Sequence, residues 1–297
     1  MDLWVAVTIF AAAVQTVRFM LQKQLKGAGL STGGATFSRF LFAAPLAALL
    51  VAGLMLAQGL TLPPTTARFW VFALGGGVFQ IVGTLCTVAL FGLRNFAVGL
   101  AFTKTETVQV AIFSALVLGE AVTGTGLVAI LIGLVGVILL SLPPREIGGG
   151  LWNRATALGL LGGAAFGLSA IGYRGAALDL ADAPFYFRAA VTLAAVTAMQ
   201  TAIMATLLRL REPGEIGRVL RAWRGTALVG VTGMLGSLGW FTAFTLQNAA
   251  YVRALGQIEL VFGLLVAALV FRERISLREV AGMAALMAAI VILVLYL

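Results

Sequence analysis

The fold is decided by a segment that occurs twice: residues 104–120 read KTETVQVAIFSALVLGE and residues 257–273 read QIELVFGLLVAALVFRE. The two copies align without a gap at an offset of 153 positions, the separation of Glu106 from Glu259. Three polar matches in one register are a strong sign of an internal repeat in so apolar a chain. At this offset Glu106 aligns with Glu259, Glu120 with Glu273, Asn95 with Asn248, and Trp70 with Trp223. Arg39 and Arg188 also match, at a smaller separation that reflects a shorter connection.

The composition identifies a membrane protein. Hydrophobic residues make up 61% of the 297 positions and charged residues only 10%, whereas soluble domains are about 45–50% apolar and about 25% charged. A helix that crosses the hydrocarbon core needs about 20 mostly apolar residues. Ten segments meet this requirement, at residues 3–21, 34–57, 69–92, 96–118, 122–142, 154–173, 183–208, 225–246, 250–271 and 279–297.

The basic residues predict the orientation of these spans. If both termini are non-cytoplasmic, thirteen Lys and Arg residues fall in cytoplasmic loops and two, Arg68 and Arg174, fall on the opposite side. Such a bias is typical of an inner-membrane protein and explains the net charge of +9 without nucleic acid. The five arginines between 209 and 224 either set topology only or also bind anionic lipid headgroups. The thirteen are Lys23, Lys26, Arg94, Arg145, Arg154, Arg209, Arg211, Arg218, Arg221, Arg224, Arg272, Arg274 and Arg278.

Five spans in each half are an odd number, so the second copy has to be inverted in the membrane. The turn at 119–123 contains no base, whereas its partner turn contains Arg272 and Arg274. We therefore predict an all-α polytopic membrane protein with ten transmembrane helices arranged as two inverted five-helix repeats, residues 1–145 and 146–297. Inverted repeats are typical of secondary transporters, whose substrate site lies near the bilayer midplane.

These features resemble the drug/metabolite transporter superfamily, in its ten-span EamA-type branch. The resemblance covers the whole chain and lies in the inverted repeat, in Arg39 and Arg188 of the second span of each half, and in the motifs LVLGE at 116–120 and LVFRE at 269–273. It implies a carrier that exports small organic solutes, and some bacterial members similar to this chain export amino acids, including aromatic ones.

The polar residues inside the spans are the candidate site. A charge at the bilayer centre costs roughly 2.5–3.5 kcal/mol, so it needs a partner or a water-filled cavity. Glu106 and Glu259 lie ~15 Å into their spans at 1.5 Å per residue, near the midplane. Either these acids bind the solute or a proton, or they are structural struts paired with Lys104 and Arg253. The predicted substrate-binding residues are Glu106, Glu259, Gln257, Lys104, Gln80, Trp240, Gln15 and Tyr173.

Other charged residues have simpler expected roles. Arg18, Arg39 and Arg188 lie nearer the span ends and are expected to anchor the helices by extending their charged groups to the interface. Glu120 and Glu273 follow tight turns, where a carboxylate complements the dipole of the next helix.

Several functions are excluded or disfavoured by the composition. Without histidine, the chain has no imidazole metal site or Ser/His/Asp triad, and the single Cys86 can form no internal disulfide. No phosphate-binding loop is present, and no cofactor or obligate protein partner is expected. The sequence predicts a secondary transporter that exports amino acids or related metabolites across the inner membrane. The alternatives are an intramembrane enzyme that modifies a lipid or metabolite and a passive channel.

Overall fold

The computed structural model describes residues 2–93, 106–141, 154–270, 272 and 276–296. These residues form twelve α-helices and one π-helical turn, Ser114–Leu118. The helices are α1 Leu3–Gly27, α2 Thr32–Gln58, α3 Ala67–Leu90, α4 Glu106–Phe113, α5 Gly124–Ser141, α6 Arg154–Asp179, α7 Phe185–Arg211, α8 Glu215–Arg221, α9 Trp223–Leu246, α10 Ala249–Gly256, α11 Ile258–Leu269 and α12 Leu277–Tyr296.

The helices confirm the predicted class of fold, an all-helical multi-pass membrane protein. Within the described residues, six stretches are long and apolar enough to cross a membrane by length and composition. The six stretches are Leu3–Gly27, Thr32–Gln58, Ala67–Leu90, Phe185–Arg211, Trp223–Leu246 and Ala249–Val266.

Local sequence signals set several helix boundaries. The side-chain oxygens of Ser31, Thr66 and Asn248 accept hydrogen bonds from backbone N–H groups two or three residues further on. Each bond satisfies one of the free donors of a helix N-terminus. Pro184 immediately precedes α7, where its missing N–H costs nothing. Pro45, by contrast, lies inside α2, which continues to Gln58.

The two copies of the repeated segment both depart from regular α-helical geometry. The span predicted at 250–271, which contains most of the second copy, consists of α10 and α11 with Gln257 between them. The N–H of Gln257 donates to the carbonyl of Ala254, three residues back, so the chain makes one tightened turn at this position. The first copy ends in the π-helical turn, which Gly119 closes with a φ of 70°.

The bundle is held together by close contacts between helices distant in sequence. Helix α3 packs along α6, α1 along α9, α2 along α7, and α5 along α12. At Gly172 of α6, a Cβ atom would lie only 2.6 Å from the Cα atom of Gly76 and 2.7 Å from the carbonyl oxygen of Phe72. The backbones of α3 and α6 therefore meet directly, which is the packing that small residues permit between membrane helices.

Candidate functional site

The two repeated glutamates are buried inside the bundle. Glu106 is 1% exposed and Glu259 is fully buried. Glu259 lies in the first turn of α11, where its negative charge complements the helix dipole. Buried carboxylates require nearby donors or cations, so the residues around them define the site.

Three of the predicted residues form one hydrogen-bonded chain. The Gln15 Nε2 group of α1 donates to the Glu259 carboxylate at 2.9 Å. The indole Nε1 of Trp240, on α9, donates to Gln15 Oε1, also at 2.9 Å. Gln15 thus links the acid to the indole, and the three residues come from three different helices. All three residues belong to the set predicted from the sequence, and the structure brings them into contact.

Glu106 is contacted by an arginine from the other half of the chain. Arg253 Nη1 of α10 lies 3.4 Å from Glu106 Oε1, and both side chains are buried. The strut arrangement considered above pairs Arg253 with Glu259, and this partner is wrong because α10 places the guanidinium against α4. The other proposed partner, Lys104, lies outside the described residues.

Aromatic rings surround the Arg253 guanidinium. Its Cζ atom lies 4.9 Å from the ring centre of Trp240, 5.4 Å from that of Phe244 and 5.8 Å from that of Phe166. Arg253 Nη2 donates to the Phe166 carbonyl at 3.4 Å, and its Nε has no hydrogen-bond partner among the described residues. Such cation–π contacts offset part of the cost of burying the charge. Arg253 is the central residue absent from the predicted set, although a basic residue within an apolar span is itself a signal.

Gln80 and Tyr173 belong to a second polar cluster, centred on Gln200. Gln200 Nε2 donates to Gln80 Oε1 at 2.9 Å and lies 3.4 Å from the Tyr173 hydroxyl. The Tyr173 ring stacks on Phe241, with ring centres 4.1 Å apart. Gln200 is not among the residues predicted from the sequence, although its amide inside the apolar segment 183–208 is a signal of the same kind.

Gln257, the remaining residue of the predicted set, contacts α4. Its Nε2 group donates to Thr107 Oγ1 at 2.6 Å. The contact joins the turn between α10 and α11 to the residue that follows Glu106. The structure therefore places Gln257 against the first turn of α4, which begins at Glu106.

The expected interfacial role of two arginines is wrong. Arg18 and Arg39 are 1% and 2% exposed, because hydrogen-bond acceptors inside the bundle, which the position in a span does not reveal, bind both side chains. Arg39 donates to Thr84 Oγ1 at 3.0 Å and to Ser237 Oγ at 2.9 Å. Arg18 Nη1 donates to Gln22 Oε1, one turn further along α1, at 2.6 Å. These two arginines thus add positive charge to the interior near the acids. Arg188 is only half-buried.

The expected helix-capping role of Glu120 is also wrong. Helix α5 begins four residues later, at Gly124, and the Glu120 carboxylate accepts hydrogen bonds from Arg174 Nε at 2.7 and 2.8 Å. Arg174 Nη1 also donates to the carbonyl oxygens of Phe244 and Gln247, each at 2.6 Å. We call these four residues the Arg174 clamp. The matching Glu273 lies outside the described residues.

Comparison with known proteins finds one family similarity and one fold similarity. Residues 153–295 match the EamA-like transporter family. No curated protein matches the chain in sequence. Among 27 matching chains of solved structures, one described as the crystal structure of a protein superposes with a TM-score of 0.64. It is 18% identical and covers 97% of this chain and 99% of its own, which establishes a shared fold. The family match is confined to the second half of the chain.

Proposed function

We propose that the protein is a secondary transporter that exports a small amphipathic solute, an amino acid or a related metabolite, by alternating access. The EamA-like match over residues 153–295 supports the transporter class. We further propose that residues 1–145 and 146–297 are inverted repeats. Packing that recurs between the halves supports this: α3, the third helix of the first half, packs on α6, and α9, the corresponding helix of the second half, packs on α1.

The arrangement of buried charges carries the proposal for the solute. Two carboxylates and the Arg253 guanidinium lie in the interior, and aromatic rings line the guanidinium. A carboxylate suits the ammonium group of a zwitterion, and a guanidinium suits its carboxylate in a bidentate pair. Trp240 and Phe244 offer surface to an apolar side chain. In the empty transporter, Glu106 and Arg253 neutralise each other, which lowers the cost of leaving the site without solute.

Counterflow in liposomes tests this function. Vesicles loaded with an unlabelled amino acid should transiently accumulate the labelled amino acid, because a carrier exchanges one solute for another. Glu106→Gln and Glu259→Gln should each reduce the rate about tenfold or more, since a hydrogen bond to a charged group contributes about 1.5–3 kcal/mol. Asp2→Asn is the matched control, the same carboxylate-to-amide change at an exposed position.

Two results would contradict the proposal in different ways. Equilibration of the label without an overshoot would indicate a passive channel. Normal counterflow by both Glu→Gln variants would remove the acids from the site while leaving the carrier function intact.

We also propose that both termini are non-cytoplasmic in an inner membrane. The support is the thirteen-to-two distribution of basic residues. A reporter that is active only in the cytoplasm, fused after the last residue, should be silent. The same reporter inserted in the 209–224 loop should be active, and the reverse pattern would overturn the orientation.

A further inference from the structure

A cavity opens at the end of the bundle that carries the connection between α7 and α9. Its volume is about 540 Å³, within the roughly 300–1,000 Å³ of typical ligand sites. A Cβ atom at Gly225 would lie 3.0 Å from Leu25, so the end of α1 forms one wall of the cavity. The lining residues include two arginines, one tryptophan and no acid: Leu25, Arg221, Ala222, Trp223, Arg224 and Gly225.

Helix α8 contains two arginines: Glu215 neutralises the charge of Arg218, and Arg221 lines the cavity. The buried Glu215 carboxylate accepts a hydrogen bond from the backbone N–H of Ser31 at 2.7 Å and forms an ion pair with Arg218. Arg221 Nε donates to the Gly217 carbonyl at 3.3 Å. Among the described residues, no carboxylate is paired with Arg221, which leaves its charge for a ligand.

The second arginine belongs to the start of α9. The Arg224 guanidinium lies 5.8 Å from the ring centre of Trp223 and, like Arg221, has no carboxylate partner within the described ranges. Two guanidinium groups therefore line one cavity, and no carboxylate of the described residues neutralises them. Phosphate is the ligand that paired arginines favour, because their N–H groups match its oxygens.

Large apolar side chains are exposed on the same connection between α7 and α9 as these arginines. Leu210 is 74% exposed, Trp223 58% and Leu220 51%. Exposed leucines beside a tryptophan and arginines are typical of the membrane–water interface, where indole rings lie at the level of the headgroups. A ligand here would have its charged part on the arginines and its apolar part against these side chains.

We propose that this cavity binds the phosphate of an anionic membrane lipid. Arg221 and Arg224 bind the phosphodiester, and Trp223 packs against the glycerol and upper acyl region. The charge complementarity and the apolar rim favour a lipid over a soluble phosphate. The site lies apart from the buried acids and does not depend on the proposed transport function.

Lipid binding to the purified protein tests the proposal. Native mass spectrometry in detergent would measure the fraction of protein that retains phosphatidylglycerol, with phosphatidylcholine as the zwitterionic reference. The wild type should retain phosphatidylglycerol preferentially, and the double variant Arg221→Gln with Arg224→Gln should bind it roughly 30-fold more weakly. The matched control is Arg209→Gln with Arg211→Gln, the same charge change at the end of α7, outside the cavity lining.

Each outcome decides the question. Full retention by the control with loss in the cavity variant supports the site. Equal loss in both double variants would show that only the total charge of the connection matters and would overturn the proposed site. Equal retention of phosphatidylglycerol and phosphatidylcholine by the wild type would also overturn it. If inorganic phosphate displaces phosphatidylglycerol at equal concentration, the ligand is a soluble phosphate and not a lipid. If the cavity variant does not fold, the double variant Arg221→Lys with Arg224→Lys replaces it, because it keeps both charges. Weaker retention of phosphatidylglycerol by this variant supports the site, and unchanged retention contradicts it.

Discussion

Arg253 Nη1 and Glu106 Oε1 lie 3.4 Å apart, and the two residues come from opposite halves of the chain. The pair therefore joins α10, the helix just before the second copy of the repeated segment, to the first copy. Each half contributes one charge that it could not bury alone. This interdependence can be measured.

Removing one member of the pair should destabilise the protein. Arg253→Met leaves the buried Glu106 without its guanidinium, and the loss of one partner of a buried ion pair costs about 3–5 kcal/mol. Thermal unfolding in detergent should show a large decrease in Tm. The double variant Arg253→Met with Glu106→Gln removes both charges and should recover most of the stability. Additive losses in the double variant would show that the two groups do not stabilise each other.

The Arg174 clamp should control access to the interior from its end of the bundle. Glu120→Gln removes the charge that holds Arg174, and a loss of about 1–2 kcal/mol would raise the open population about 5- to 30-fold. In a Cys86→Ser background, a cysteine at Thr245, a buried residue of α9 near the clamp, would report on opening through its reaction with a water-soluble maleimide. Glu120→Gln should accelerate labelling.

The exposed Asp182 provides the control for this measurement. Asp182→Asn makes the same chemical change near α6 and should leave the labelling rate unchanged. Equal rates in Glu120→Gln and in the unaltered background would show that the clamp is not a gate.

Glu215 should make stability depend on acid. Burial alone would raise its pKa, but hydrogen bonds from Ser31 and the ion pair with Arg218 together hold the pKa below the ordinary value for glutamate. A carboxyl with a lowered pKa in the folded state stabilises the protein above its unfolded pKa, and this contribution disappears as the pH falls through the folded pKa. At pH 7, Glu215→Gln should cost about 1.5–3 kcal/mol.

The difference in Tm between wild type and Glu215→Gln should then shrink as the pH is lowered below about 4.3, the ordinary pKa of glutamate. Glu212→Gln, three residues earlier, is the control and should show a smaller effect. A difference that is constant from pH 7 to pH 3 would contradict the role assigned to the Glu215 charge.

Gly172→Ala should weaken the contact between α3 and α6. The added Cβ atom would lie 2.6 Å from the Cα atom of Gly76, and backbone atoms cannot move aside without shifting a helix. Overpacking of this kind costs about 1–3 kcal/mol. Gly75→Ala, where no atom lies within 4 Å, is the control and should be neutral or stabilising. A melting experiment in detergent on the two variants decides this, and equal Tm values would contradict it.

The sequence predicted which polar residues lie inside the spans better than it predicted their partners. Gln15, Trp240 and Glu259 could be selected because a polar group within an apolar span needs a partner. The partner of Arg253 could not be predicted, because neighbours along a helix are visible in sequence and neighbours across helices are not. For the same reason Arg18 and Arg39 were expected at the interface, although the structure buries them.

The direct backbone contact between Gly76 and Gly172 also constrains how the bundle can move. No side chain lies between these glycines that could change rotamer and let one helix slide over the other. We therefore expect helices α3 and α6 to move together, although they belong to different halves of the sequence. The units that move in this protein are then pairs of helices with one member from each half, such as α3 with α6 and α1 with α9. A motion that opens one end of the bundle separates such pairs from one another and does not separate the first half of the chain from the second.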